Sequence, residues 1–163
     1  MKRMLAGLLL GSLSTVGGAQ DAPKPACAAV DAGLPDDLVV WKDRASLAGS
    51  RLAVGRAMTV RLRPIAAVQY AAPPERPGAA GTYGATLTLD VARAGTYRVA
   101  LSDRAWVDLV ATGRTIASTA HGHGPACSSI RKIVSFPLRP GRHTLQLGGN
   151  AKDRIAVLVT PAQ

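Results

Sequence analysis

The sequence predicts an all-β protein, a single antiparallel β-sandwich or jelly-roll-like domain with a short N-terminal helical stretch and one disulfide bond. From residue 55 onward, apolar and polar residues alternate with a period of two, as in half-buried strands. Glycine and proline separate these segments at short intervals, which is typical of sandwiches. The chain also keeps one pair of cysteines behind an N-terminal export leader.

The N-terminus has the three parts of a secretory signal peptide. Lys2 and Arg3 give a positive start, an apolar run follows over residues 5–16, and small residues end the segment at Ala19. The run is shorter than the ~20 apolar residues that span a bilayer. We therefore expect residues 1–19 to be removed and the remainder to be periplasmic or secreted, with no membrane-spanning segment.

Residues 20–54 are predicted to form an N-terminal arm. Three prolines interrupt its first half, and only residues 36–48 could be helical, with Asp36 or Asp37 as the N-cap. Trp41 lies in this stretch and is expected to pack it onto the sandwich.

The sandwich domain is expected to span residues 55–163. Met58, Val60 and Leu62 alternate with polar neighbours in its first strand. The proline-rich segment 73–78 is predicted to be an exposed loop, because prolines cannot donate to a β-ladder. The nine predicted strands cover residues 57–63, 67–70, 82–91, 96–101, 105–111, 115–119, 130–136, 142–147 and 154–160.

The two cysteines, Cys27 and Cys127, are predicted to form a disulfide, because an even pair in an exported chain normally oxidises. The bond would close a loop worth up to ~4.7 kcal/mol on the chain-entropy model. It would tie the arm to the late part of the fold.

The charge balance leaves two interpretations, a solvated basic surface or attraction to an anionic partner. Lysine and arginine number 20 against 10 acidic residues, for a formal net charge of +10. The arginines are scattered, without the basic run and interleaved aromatics typical of nucleic-acid binding. This favours an anionic envelope polymer or glycan over nucleic acid, or else simply a solvated basic surface.

Two histidines, His121 and His123, flank a single glycine. On an extended strand their side chains point the same way and could share a Zn, Cu or Fe ion. The alternative is a glycine-rich loop with both rings in solvent. A metal site needs a third ligand, for which the candidates are His143, Asp103 and Asp108.

Trp106 shares one face of its strand with Asp108 and is predicted to offer an outward stacking surface. Together with Arg104, these residues are the predicted ligand-binding set. No catalytic residue is predicted, because the chain has no Gly-x-Ser-x-Gly elbow and its one glutamate, Glu75, lies in the proline-rich loop.

Two stretches resemble the bacterial pre-peptidase C-terminal domain. They are AGTYRVAL at 94–101 with WVDLV at 106–110, and FPLRPGRHTLQL at 136–147. The resemblance covers about residues 85–160, with His143 where the family usually has tyrosine. It implies a β-sandwich with an accessory, non-enzymatic role.

The whole chain also looks like small exported proteins that carry the name homogentisate 1,2-dioxygenase. That enzyme class holds iron with two histidines and a carboxylate, and this sequence has no residue-by-residue match to its iron motif. The sequence thus predicts an exported, non-enzymatic binding or accessory module for an anionic or glycan-like ligand, without a cofactor. A small metal-binding oxidoreductase using the His-Gly-His site stays open as the alternative.

Overall fold

The structure is a computed structural model that describes residues 27–163, which form a two-sheet β-sandwich. The prediction of an all-β sandwich is therefore confirmed. The predicted signal peptide, residues 1–19, and the start of the arm, residues 20–26, lie outside the described residues.

Short edge strands and long central strands make up the sandwich. Two 3-10 helices, η1 (Asp36–Lys42) and η2 (Ile65–Ala67), join them. The strands are β1 (Ala45–Ser46), β2 (Arg51–Leu52), β3 (Met58–Arg61), β4 (Arg63–Pro64), β5 (Tyr83–Val91), β6 (Gly95–Leu101), β7 (Trp106–Ala111), β8 (Arg114–Ile116), β9 (Ala120–Gly122), β10 (Lys132–Leu138), β11 (Gly141–Asn150) and β12 (Arg154–Pro161).

Sheet A has the order β1-β3-β12-β6-β10-β9, and sheet B has the order β2-β5-β11-β7-β8, with β4 also paired to β5. The long strands pair antiparallel, as predicted. Two short strands differ, because β1 pairs parallel with β3 and β2 pairs parallel with β5. Both sheets are therefore mixed at one edge, where the last part of the arm joins them.

The core lies between the sheets and follows the alternation seen in the sequence. Val99 and Val157 point inward from sheet A, and Leu89, Leu109 and Leu145 point inward from sheet B. All five are at most 1% exposed. Their burial supplies the main stabilisation, at roughly 1.5–3 kcal/mol for each side chain.

The two similar Gly-containing turns, at 91–101 and 137–147, cross between the sheets. The first joins β5 of sheet B to β6 of sheet A, and the second joins β10 of sheet A to β11 of sheet B. Gly95 lies opposite Leu138, and Gly141 lies opposite Val91. The similar sequences thus form two adjacent corners at one end of the sandwich.

The arm covers the outer face of sheet A. Leu38 and Trp41 of η1 are buried against Ala100, Ala156 and Leu158, which confirms the predicted packing of Trp41. The predicted helix over 36–48 is shorter, because a 3-10 helix ends at Lys42 and β1 follows.

The predicted aspartate cap of this helix is wrong. Pro35 occupies the N-cap position, and no side chain caps the helix. Asp37 instead pairs with Arg98 of β6 at 2.6 Å, its own side chain only 4% exposed.

A covering loop, defined here as residues 68–80, crosses the outer face of sheet B. Gln146 of β11 is 1% exposed, and its Oε1 accepts hydrogen bonds from the backbone N–H of Ala71 and Ala72 at 2.6 and 2.9 Å. The strand predicted at 67–70 is therefore wrong. After Pro64 the chain leaves the sheet edge and turns through η2. The backbone N–H groups of Ala71 and Ala72 then donate to the buried carboxamide of Gln146 and not to a neighbouring strand.

The strand predicted at 115–119 is shorter in the structure. It ends at Ile116 as β8, and a separate strand, β9, follows at 120–122. All three residues of β9 are exposed, so they carry no alternation that a sequence pattern could detect.

The predicted disulfide between Cys27 and Cys127 is confirmed, with the two Cα atoms 5.3 Å apart. The backbone N–H of Asp31 donates to the carbonyl of Cys127 at 2.8 Å, which fixes the arm beside the bond. Within residues 27–163, no helix is long and apolar enough to cross a membrane.

Candidate functional site

A cleft of about 330 Å³ opens where the start of β7 in sheet B meets β9 and β10 of sheet A. We call it the Trp106 cleft. It brings together four of the predicted site residues and two further basic residues, Arg131 and Lys132. Its lining comprises Arg104, Ala105, Trp106, His121, Gly122, His123, Arg131 and Lys132.

The fold explains how distant residues meet in this cleft. The connection from β6 to β7 carries Arg104 and delivers Trp106 to sheet B. Strand β9 is the last strand of sheet A, where His121 lies opposite Val134 of β10. Strand β10 begins with Lys132, which lies at the same end of the sandwich as the connection from β6 to β7.

Two cationic side chains, Arg76 and Lys132, lie against the half-buried Trp106 ring. The guanidinium carbon of Arg76 lies 4.9 Å from the ring centroid, and the ammonium of Lys132 lies 5.1 Å from it. Cations within about 6 Å of an indole face are attracted by its quadrupole. The ring predicted as a stacking surface therefore holds protein cations here.

Asp108 orients the Trp106 ring through a hydrogen bond. The indole Nε1–H donates to Oδ1 at 3.0 Å, and the backbone N–H of Glu75 donates to Oδ2 at 3.3 Å. Asp108 is 4% exposed, and burial raises its pKa, although these two hydrogen bonds oppose the shift. Asp108 is thus a positioning residue for Trp106, and both carboxylate oxygens already have partners.

Neighbouring groups in the cleft hold the Lys132 side chain in place. Its ammonium donates to the carbonyl of Ala105 at 2.9 Å. Burial lowers the pKa of Lys132, while the nearby Asp108 carboxylate works in the opposite direction. The ammonium is therefore fixed between a carbonyl, an aromatic ring and a buried carboxylate.

The cleft residues have an excess of positive charge. Across residues 27–163, the ion pairs fall elsewhere, and Arg104, Arg131 and Lys132 are in none of them. An unpaired guanidinium presents its full fork of donors to a ligand.

His143 does not join the other two histidines. His121 and His123 are exposed on and just after β9. His143 lies on β11 of sheet B, where it is 4% exposed and its Nδ1 is 3.1 Å from the carbonyl oxygen of Gly141. In the part of the chain that the structure describes, no three His, Cys, Asp or Glu side chains are grouped to hold a metal ion.

No family model and no curated protein matches this sequence. Among solved structures, the chain is similar to the pre-peptidase C-terminal domain of collagenase from Bacillus anthracis, with 14% sequence identity and a TM-score of 0.39. The match covers 68% of this chain and 92% of that domain. The solved domain bears the name of the family that residues 85–160 resemble, whereas no comparison supports the name homogentisate 1,2-dioxygenase.

Proposed function

We propose that this protein is an exported, non-enzymatic binding module that holds an anionic group of an envelope polymer or glycan in the Trp106 cleft. One observation carries the proposal. Three basic side chains without ion-pair partners among the described residues, Arg104, Arg131 and Lys132, line one concave site around a half-buried tryptophan.

An anionic ligand fits this lining better than a neutral sugar. Guanidinium groups match carboxylate, sulfate and phosphate groups through paired hydrogen bonds. A neutral sugar would need a free aromatic face, but the Trp106 ring already lies against Arg76 and Lys132. The ring therefore acts by holding cations where a ligand charge can meet them.

The lining favours binding over catalysis. It includes no carboxylate, hydroxyl or thiol side chain to act as a nucleophile. Its two histidines, His121 and His123, are exposed, and no carboxylate in the lining orients them as a general acid or base. The Asp108 carboxylate is buried, and its two oxygens accept hydrogen bonds from the Trp106 indole and the backbone of Glu75.

The disulfide supports export as part of this proposal. Disulfides form and persist in oxidising compartments such as the periplasm and the extracellular space. The bond between Cys27 and Cys127 anchors the arm only where it stays oxidised.

The test compares two double variants of equal charge. Arg104→Ala with Lys132→Met removes two cations from the cleft, whereas Arg51→Ala with Arg142→Ala removes two cations that pair with Asp90. Arg142 lies near the start of β11, and Trp106 pairs with Gly148 near its end, so the control is remote from the cleft.

Binding to alginate, a carboxylated polysaccharide, and to neutral dextran is measured by calorimetry at two salt concentrations. We expect the cleft variant to lose about tenfold or more in alginate affinity, equivalent to about 1.4 kcal/mol. The control should retain its affinity, and dextran should not bind. Equal losses in the two variants, or equal binding of dextran, would overturn the proposal.

A further inference from the structure

Arg131 lines two clefts at once. Besides the Trp106 cleft, it borders a second cleft of about 420 Å³ on the outer face of sheet A. The other charged residues of this second cleft are Arg44, Asp103, Lys152 and Arg154. The two clefts are therefore neighbours that share one guanidinium.

The strand register extends this basic surface further. Arg154 of β12 lies directly opposite Arg61 of β3, and both residues are exposed. Directly paired residues of antiparallel strands project from the same face, and like charges at such positions are destabilising. An anion lying between the two guanidinium groups would relieve that repulsion.

The carboxylates near the second cleft offset only part of its positive charge. Asp103 pairs with Lys152 at 2.8 Å. Asp31 lies 3.7 Å from Arg44, but both of its oxygens also accept hydrogen bonds from Ser129. Asp153 lies beside Arg61 in an adjoining cleft.

Arg61, Arg131 and Arg154 make no ion pair anywhere in residues 27–163. A row of unpaired cations thus runs from the Trp106 cleft across the outer face of sheet A.

We propose that the two clefts form one extended groove for a linear anionic polysaccharide, which runs from Trp106 past Arg131 to the Arg61–Arg154 pair. The inference rests on the proposed function and adds that the ligand is a polymer with several charges. Each additional charged contact contributes little alone, but several on one chain raise its affinity together.

The groove fits a polysaccharide better than a single-stranded nucleic acid. Sequence-independent binding of single strands relies on aromatic rings on which bases stack. The second cleft has no aromatic residue in its lining, and the neighbouring Trp41 is fully buried.

The test uses alginate oligomers of two lengths with one further variant. Arg61→Ala combined with Arg154→Ala removes the far end of the groove and leaves the Trp106 cleft intact. We expect the long oligomer, a dodecamer, to bind this variant about three- to tenfold more weakly than the wild type, with a shallower dependence on salt. The tetramer should bind both proteins equally.

The remote control, Arg51→Ala with Arg142→Ala, carries the same loss of charge and should bind the dodecamer as the wild type does. Thermal unfolding confirms that the variants are folded, and removing two facing arginines should not lower stability.

The outcomes separate the two proposals. If the dodecamer and tetramer bind the wild type with equal affinity, or if the Arg61/Arg154 variant keeps its dodecamer affinity, the extended groove is wrong and the cleft proposal stands. If neither oligomer binds the wild type, both are wrong. If single-stranded DNA of matched charge binds more tightly than the dodecamer and loses affinity in the same variant, the proposed class of polymer is wrong.

Discussion

The Asp31 carboxylate accepts two hydrogen bonds from Ser129, one from its backbone N–H and one from its Oγ, each 2.6 Å long. The two residues lie 98 positions apart, and Ser129 Oγ also accepts the indole N–H of Trp41 at 2.8 Å. This network joins the arm to the segment that follows Cys127. It therefore acts on the same two chain segments as the disulfide.

Replacing Asp31 is expected to lower stability and flatten its dependence on pH. Burial by itself raises the pKa of Asp31, but hydrogen bonds from Ser129 and the charge of Arg44 outweigh it and lower the pKa below 3.8. The stabilisation is thus fully present above the unfolded pKa and is lost as the pH falls through the lower folded pKa.

We expect Asp31→Ala to reduce the free energy of unfolding by about 1–3 kcal/mol at neutral pH, because it leaves polar groups of Ser129 without a partner. Denaturant titrations at neutral and acidic pH measure the effect. The control is Asp90→Ala, which removes a carboxylate that is 48% exposed. The prediction fails if wild type and Asp31→Ala lose the same stability on acidification.

Reduction of the disulfide is expected to release the arm. The bond joins residues 100 positions apart, which corresponds to at most ~4.7 kcal/mol on the chain-entropy model. The chain has two tryptophans, so a Trp106→Phe background leaves Trp41 as the single reporter.

Trp41 is fully buried in the oxidised protein. Its emission should shift to longer wavelength in the Cys27→Ser/Cys127→Ser variant or after treatment with a reductant. The matched control carries Trp41→Phe and reports on Trp106, whose emission should change little. A buried Trp41 signal that persists without the disulfide would show that side-chain packing alone holds the arm.

The sequence predicted what depends on periodic patterns. The alternation around Val99 and Val157 identified core strands, and the even pair of cysteines predicted the disulfide. The covering loop could not be predicted, because its anchor is a contact between Ala72 and Gln146 that no local pattern encodes.

The candidate site was only partly predictable for the same reason. The sequence predicted His121 and Trp106 as members of two different sites. Their position in one cleft depends on how the two sheets approach each other, which no local pattern encodes. Lys132 does carry a sequence signal of this opening. It has the same inward phase as Val134 and Phe136 on β10, where a lysine is unusual and indicates a polar opening at the strand end.

Gly124 is expected to tolerate no side chain. A Cβ at this position would lie 2.2 Å from the carbonyl oxygen of Ile130 and 2.6 Å from its Cβ, so the backbone would have to move. We expect Gly124→Ala to lower the free energy of unfolding by about 1–3 kcal/mol, as for other overpacked sites.

Gly122 provides the matched control, because a Cβ there would meet nothing within 4 Å. Gly122→Ala should therefore change stability by well under the loss seen at Gly124, although both glycines flank His123. Denaturant unfolding of the two variants measures the difference. If both variants lost the same free energy of unfolding, the loop would adjust freely and the close approach of Gly124 to Ile130 would not affect stability.

Replacing Asp108 separates its charge from its role in orienting Trp106. Removing a negative charge beside a cationic cleft should by itself strengthen the binding of an anion. Loss of the acceptor for the Trp106 indole N–H should instead weaken binding, because the ring would no longer hold Arg76 and Lys132 in place.

We expect Asp108→Ala to bind alginate several-fold more weakly than wild type and to lose about 1–3 kcal/mol of stability, since it leaves two N–H groups without their acceptor. Asp108→Asn keeps an acceptor for the indole and removes the charge, so its affinity should equal or exceed that of wild type. Near-ultraviolet circular dichroism in a Trp41→Phe background reports the order of the Trp106 ring. Tighter binding by Asp108→Ala would show that this carboxylate acts on the ligand through its charge alone and that ring orientation plays no part.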